Sequence, residues 1–173
     1  MNNLCNQVKI ISGEIEVKRI MLVLSTMRQS PKEIEYALQT AKKENAELVA
    51  LFIIDSNMPG TVFQRLHEMD LIGEKPSEEL SKALMREYRQ RGYEKLEEVE
   101  KKAKGKNVHC SIYIEEGDFA EEVLKMINKL GVSLVILTRS RRSNISRMFF
   151  GSAVDELIKQ SPCEVKIVDE DKI

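Results

Sequence analysis

Two continuously apolar runs, separated by one well-capped helical pattern, constrain this chain more than any other feature. Arg19 to Leu24 (RIMLVL) and Leu48 to Ile54 (LVALFII) show no polar–apolar alternation. Each therefore fits a strand covered on both faces, as in a parallel sheet. Between them, Ser30-Pro31-Lys32-Glu33 reads as a helix start, with Ser as N-cap, Pro at the first helical position and Glu closing a capping box. Ile34, Ala37, Leu38 and Ala41 repeat at helical spacing, and Asn45 is expected as the C-terminal cap. Strand, helix, strand within residues 19–54 is a βαβ unit with a parallel strand pair.

The same alternation continues after a long charged insertion. Val62, Phe63, Leu66 and Met69 predict a short helix after Pro59-Gly60. Ser77 is expected to cap a longer helix with Leu80, Ala83, Leu84, Tyr88, Leu96, Val99 and Ala103 on one stripe, ending at Gly105 and weakened at Gly92. Its charge run, Glu94 to Lys104, reads as a solvated face. Val108 to Ile114 predicts a third strand. Asp118 caps a helix with Glu121 as box partner and Phe119, Val123, Ile127 and Leu130 inward, and Gly131 stops it. Val132 to Leu137 predicts the fourth strand. Val154, Leu157 and Ile158 mark the last helix, and Val165 to Val168 the fifth strand after Pro162. The expected fold is α/β: a single doubly wound domain with a five-stranded parallel sheet and helices on both faces. Residues 1–16 form an N-terminal arm, either a short strand at Val8-Lys9-Ile10-Ile11 with a turn at Ser12-Gly13-Glu14, or a flexible segment, and 17–173 form the domain.

Composition narrows the function classes. The 27 basic and 28 acidic residues nearly cancel, so there is no global pull toward nucleic acid or membrane, and any anion site is local. No apolar run approaches the ~20 residues of a membrane span. The N-terminus lacks a signal-peptide pattern, so a cytoplasmic protein is expected. Cys5, Cys110 and Cys163 are odd in number and never form a CxxC pair, so reduced, buried thiols are expected.

Motifs for chemistry are scarce. His67 and His109 lie apart with no metal-ligand spacing. Neither a hydrolase nucleophile elbow, a zincin pair, a Walker loop nor a GxGxxG motif is present. A receiver-type phosphoacceptor reading fails because Ser25-Thr26-Met27 offers no carboxylate at the end of the first strand. Asp55, ending the second strand, is the one nearby acidic candidate and reads as a turn or cap residue. Met58, Met69, Met85, Met126 and Met148 read as core filling, and Phe149-Phe150 as a packing anchor before Gly151.

With that order of elements, the chain resembles the universal stress protein family. The resemblance rests on Lys18 to Leu24 as first strand, and on Glu115-Glu116-Gly117-Asp118-Phe119-Ala120-Glu121-Glu122-Val123-Leu124. It rests further on Gly151-Ser152-Ala153-Val154 opening the last helix, and on Ser161-Pro162-Cys163-Glu164-Val165 leading into the final strand. Nucleotide-binding members carry a glycine, two residues, a second glycine, nine residues, then Gly-Ser or Gly-Thr. Registered on Gly151-Ser152, this chain has Thr138 and Arg141 where the first two glycines belong, and Ser25 where members carry an acidic residue. Glycine admits positive φ and close backbone approach to a phosphate; a β-branched Thr does not. The loop gains Arg139, Arg141, Arg142 and Arg147 instead, whose guanidinium forks suit phosphate or carboxylate.

The resemblance implies a ligand crevice where the first and fourth strands end, with candidate nucleotide- or anion-binding residues Ser25, Thr26, Ile54, Thr138, Arg139, Arg141, Arg142, Gly151 and Ser152. ATP or another adenine nucleotide is the implied ligand. A solvated basic loop, pairing with the Glu94 to Glu100 face or a partner chain, is the competing reading. The resemblance also implies a homodimer whose last strands pair, with Val165, Ile167 and Val168 supplying the edge. The leading functional expectation is a non-enzymatic, stress-related regulatory or interaction module with a degenerate nucleotide site. The alternative is a nucleotide-binding switch using the Arg-rich loop.

Overall fold

The structure is a computed structural model that describes residues 10–11, 14–15, 17–26, 31–56, 60, 63–64, 67–70, 73, 78–139 and 153–169. Its centre is a five-stranded sheet formed by β3 (Arg19–Ser25), β4 (Glu47–Asp55), β5 (Cys110–Gly117), β6 (Leu134–Arg139) and β7 (Glu164–Asp169). All four pairings are parallel, and the spatial order is β5-β4-β3-β6-β7. The chain winds outward from β3 through β4 to β5, then crosses back to lay β6 on the other side of β3. Ahead of the sheet, β1 (Ile10–Ile11) and β2 (Glu14–Ile15) pair antiparallel, which agrees with a strand ending at Ile11 but puts Glu14, expected in the turn, in a second strand.

Burial follows from the apolar runs. From Ile20 to Leu24 and from Leu48 to Ile54 every residue is at most 1% exposed, as strands sandwiched between two helical layers require. On one face, Leu22, Leu24, Ala50, Phe52, Ile54 and Ile136 pack against α1 (Pro31–Glu44) and α2 (Glu78–Gly105). On the other, Met21, Val23, Val49, Leu51, Val135 and Leu137 pack against α3 (Phe119–Leu130) and α4, residues 153–160. Pro31 opens α1 as the sequence predicts. The expected caps Ser30 and Ser77, together with Pro59, Val62 and Leu66, lie outside the described residues, while 60, 63, 64, 67 and 68 are helical.

One device ends three helices. Asn45, Asn107 and Gly131 adopt left-handed φ of 49°, 57° and 63°. The next residue then folds its amide back onto the helix: Ala46 N donates to Ala41 O at 2.9 Å, Val108 N to Ala103 O at 2.9 Å, and Val132 N to Ile127 O at 3.1 Å. Ala46, Val108 and Val132 are themselves buried, so each stop is sealed by an apolar contact just before the following strand. Gly105 is the last helical residue of α2, but Asn107 takes the left-handed turn. At the start of α3, the Asp118 carboxylate accepts from Ala120 N at 3.0 Å and Glu121 N at 3.1 Å, as an N-cap does.

Helix α2 corrects several expectations. Its core stripe is Tyr88, Gly92, Leu96, Val99 and Ala103, whereas Leu80 is 51% exposed and Ala83 is exposed. The helix overruns the sheet. Gly92 lies level with Phe52 and Ile114, and the residues back to Glu78 rise about 20 Å at 1.5 Å each, while β4 continues only about 10 Å past Phe52. Gly92 does not weaken the helix idly: a Cβ there would come within 2.8 Å of Phe52 Cδ1 and 2.9 Å of Ile114 Cδ1, so glycine lets α2 lie close on the sheet. Met126 is buried, but Met69 is 54% exposed, so core filling does not hold for it. His67 and His109 are both exposed; Cys110 and Cys163 are free and half-buried.

Candidate functional site

In an open parallel sheet the crevice for ligands lies past the C-terminal ends of the strands at the point where winding reverses. Here that point falls between β3 and β6, whose register runs from Ile20↔Leu134 to Val23↔Leu137. Ser25 and Thr26 follow on one strand, and Thr138 and Arg139 on the other.

Strand alternation sorts the candidates by face. Ile136 belongs to the α1/α2 layer and Leu137 to the opposite one, which puts Thr138 on the α1/α2 side, level with its neighbour Val168 on β7. Ile54 shares that side. Thr26 turns toward it as well, lining a cleft of about 320 Å³ with Arg91, Glu94, Lys95 and Glu98 of α2. Ser25 is buried on the α3 side instead. The register therefore places Thr26, Ile54 and Thr138 on one side of the sheet at the strand ends and Ser25 on the other.

Thr138 changes the meaning of the lost glycine. It pairs with Val168 as a regular strand residue, and Arg139 pairs with Asp169. Arg139 is thus the last residue of β6 rather than a loop residue, and no unusual φ is required at Thr138. The β-branched side chain sits where it is favoured. The price falls elsewhere: Thr138 is 1% exposed, and its Oγ1 has no hydrogen-bond partner among the described residues. Thr26 Oγ1 is buried in the same condition. A buried hydroxyl left unsatisfied costs about 1–3 kcal/mol, and two at adjacent strand tips mark where a polar group can dock. Arg141, Arg142, Gly151 and Ser152, like Arg147 and Phe149-Phe150, lie outside the described residues.

Around Thr26, charges are already paired within α2. Lys95 Nζ is 2.9 Å from Glu98 Oε2, Lys102 Nζ is 2.6 Å from Glu98 Oε1, and Gln90 Nε2 donates to Glu94 Oε1 at 2.9 Å. The Lys102 and Lys95 ammonium groups hold the Glu98 carboxyl below its ordinary value. The charge run is therefore a self-paired solvated face, as its spacing predicts.

Sequence reasoning missed a polar cluster at the opposite end of the strands. Arg19 Nε donates to Glu47 Oε2 at 3.0 Å, Arg19 Nη1 to Leu130 O at 3.0 Å, and Ser111 Oγ to Glu47 Oε1 at 2.5 Å. Burial presses the Glu47 carboxyl toward its neutral form, but the Ser111 hydroxyl and the Arg19 guanidinium outweigh it and lower its pKa. These residues sit 28 to 111 positions apart along the chain, so no local pattern could reveal them.

The dimer-edge candidates point in two directions. Val165 and Ile167 pack into the α3/α4 layer, and Val168 into the α1/α2 layer. What β7 presents outward along the sheet is backbone, with Glu164 and Lys166 exposed beside it.

Comparisons with known proteins agree with this architecture. The profile of the universal stress protein family matches residues 16–169. A universal stress protein of Methanothermobacter thermautotrophicus is 25% identical over 157 residues, covering 89% of this chain and 97% of that protein. Among solved structures, UspA from Lactobacillus plantarum superposes with a TM-score of 0.66 at 12% identity, covering 87% of this chain and 97% of that one. A universal stress protein in complex with cAMP gives 0.55 at 16% identity, with coverage of 86% and 95%. A family protein of Arabidopsis thaliana with AMP bound gives 0.54 at 16% identity, with coverage of 89% and 92%. The chain belongs to the universal stress protein family.

Proposed function

We propose that this protein is a non-enzymatic regulatory module whose β3–β6 crevice takes an adenine nucleotide in a pose built on side chains rather than on a glycine loop. The observation that carries this reading is the pair of buried hydroxyls, Thr26 Oγ1 and Thr138 Oγ1, which have no hydrogen-bond partner among the described residues and sit at the tips of the two strands that flank the switch point. Relatives of the same fold with cAMP and AMP bound supply the ligand class. Thr26, with the carboxylates of Glu94 and Glu98 beside it, suits the hydroxyl- and amine-bearing part of such a ligand. Arg139, Arg141 and Arg142 suit its phosphates. Thr26 and Thr138 offer neutral hydroxyls and Ile54 an aliphatic side chain, groups that hold a ligand rather than exchange protons with it, and this supports binding over turnover.

The test is a thermal shift series with ATP, AMP and adenosine, paired with mass spectrometry of small molecules released from purified protein. Stabilisation by several degrees with the phosphorylated ligands alone, abolished by combined replacement of Arg139, Arg141 and Arg142 with Ala, is the expected result. If no nucleotide shifts the transition, the crevice is closed and the protein acts through its surfaces. The open backbone edge of β7 favours pairing of two copies in either case, because an uncapped edge strand is a liability that a partner removes.

A further inference from the structure

The core stripe of α2 changes character where the helix overruns the sheet. Continued toward the N-terminus at the spacing of Tyr88, Gly92 and Leu96, it reaches Met85, Ser81 and Glu78. Met85 still packs against the core at the strand ends, whereas Ser81 and Glu78 lie beyond them, and together they roof a cleft of about 540 Å³ floored by Ser56 and Glu116 at the ends of β4 and β5. Lys82, Arg86 and Arg89, spaced four and three apart, line it from one flank of the helix. Two of these cations are committed. Lys82 Nζ is 2.6 Å from Glu78 Oε1, and Arg89 pairs with Glu116 across the cleft. Arg86 makes no hydrogen bond or ion pair among the described residues.

We propose that this cleft is a second anion site, separate from the β3–β6 crevice, and that it takes a small ligand bearing a phosphate or pyrophosphate group. Arg86 is the primary donor, because a guanidinium fork with no partner among the described residues can meet two phosphate oxygens at once. The Ser56 and Ser81 hydroxyls add neutral donors at the wall, and Lys82 and Arg89 leave the cleft with three cations against the carboxylates of Glu78 and Glu116. The volume suits a small molecule. The cleft lies at the β4–β5 rim, on the other side of β3 from β6, so its occupant does not compete with one held by the loop after β6.

Titration calorimetry with pyrophosphate at low ionic strength separates the two sites. The combined Arg139, Arg141 and Arg142 to Ala variant removes the arginines assigned to the β3–β6 crevice. It is expected to retain one binding event, and adding Arg86→Ala is expected to weaken that event at least tenfold with the circular dichroism spectrum unchanged. Arg86→Lys, which keeps the charge and loses the fork, is expected to fall between them and supplies the same readout should the Ala variant lose structure. Absence of binding in the loop variant overturns the proposal, as does undiminished affinity when Arg86 is replaced. Neither result bears on the β3–β6 crevice, which the nucleotide shift of the parent protein reports.

Discussion

Thr138→Val deletes one hydroxyl while keeping the branched shape that β6 accommodates. Because that hydroxyl is buried with no partner among the described residues, the substitution is expected to stabilise the ligand-free protein by about 1 kcal/mol, a rise of roughly 2–4 °C in midpoint for a domain of this size. The same variant is expected to lose part of the nucleotide-dependent shift. Scanning fluorimetry with and without ATP checks both halves, and a lower midpoint without ligand would show that the hydroxyl is satisfied in solution. Gly92→Ala tests close packing. Helix propensity favours Ala by about 1 kcal/mol, but the added Cβ meets ring and methyl carbons under 3.0 Å away in a packed layer. A net loss of about 1–2 kcal/mol in urea unfolding is expected. Glu47 has a folded pKa below its unfolded value, so its stabilisation is present above about pH 4.5 and is lost as the pH falls through the folded value. Glu47→Gln is therefore expected to destabilise the protein at pH 7 by about 1–3 kcal/mol and to flatten the loss of stability below pH 4.5, read from denaturation curves at several pH values.

At the scale of elements, the parts legible in the sequence are those whose signal is local. Continuous apolar runs identify β3 and β4, Pro31 opens α1, Asp118 opens α3, and Asn45 and Gly131 close their helices. Asp118→Ala removes two amide partners and is expected to cost about 0.5–2 kcal/mol, measurable by chemical denaturation. The less legible parts depend on what lies beneath an element. Periodicity shows that Leu80 and Ala83 fall near the apolar side of α2 but not that the sheet has ended below them. Likewise the polar residues after Leu137 read as loop, although pairing with β7 carries β6 through Thr138 and Arg139. The crevice was expected as a place only through the family resemblance, which implied the order of strands, while the division of Ser25 from Thr26, Ile54 and Thr138 required the register. The basic flank of the overhang was invisible because Ser56 and Glu116 come to it from distant strands.

For the whole molecule, the sheet has two edges of unequal character. β5 runs beneath the flank of α2, while β7 offers outward backbone with its apolar side chains already packed inward. Sedimentation across a micromolar concentration series is expected to show a reversible dimer, and a monomer at every concentration would remove β7 from consideration as an interface. The two ends of the sheet differ more deeply. Three helix-to-strand junctions close on the same left-handed turn and buried following residue, and Arg19 ties β3, β4 and the end of α3 together nearby. That rim behaves like a hem stitched at three of its folds, so lengthening any of those short connections would break a seam. Segments grafted at the other pole, after β3, β4 or β6, leave these stitches untouched, so diversification of ligands can proceed there without unravelling this rim.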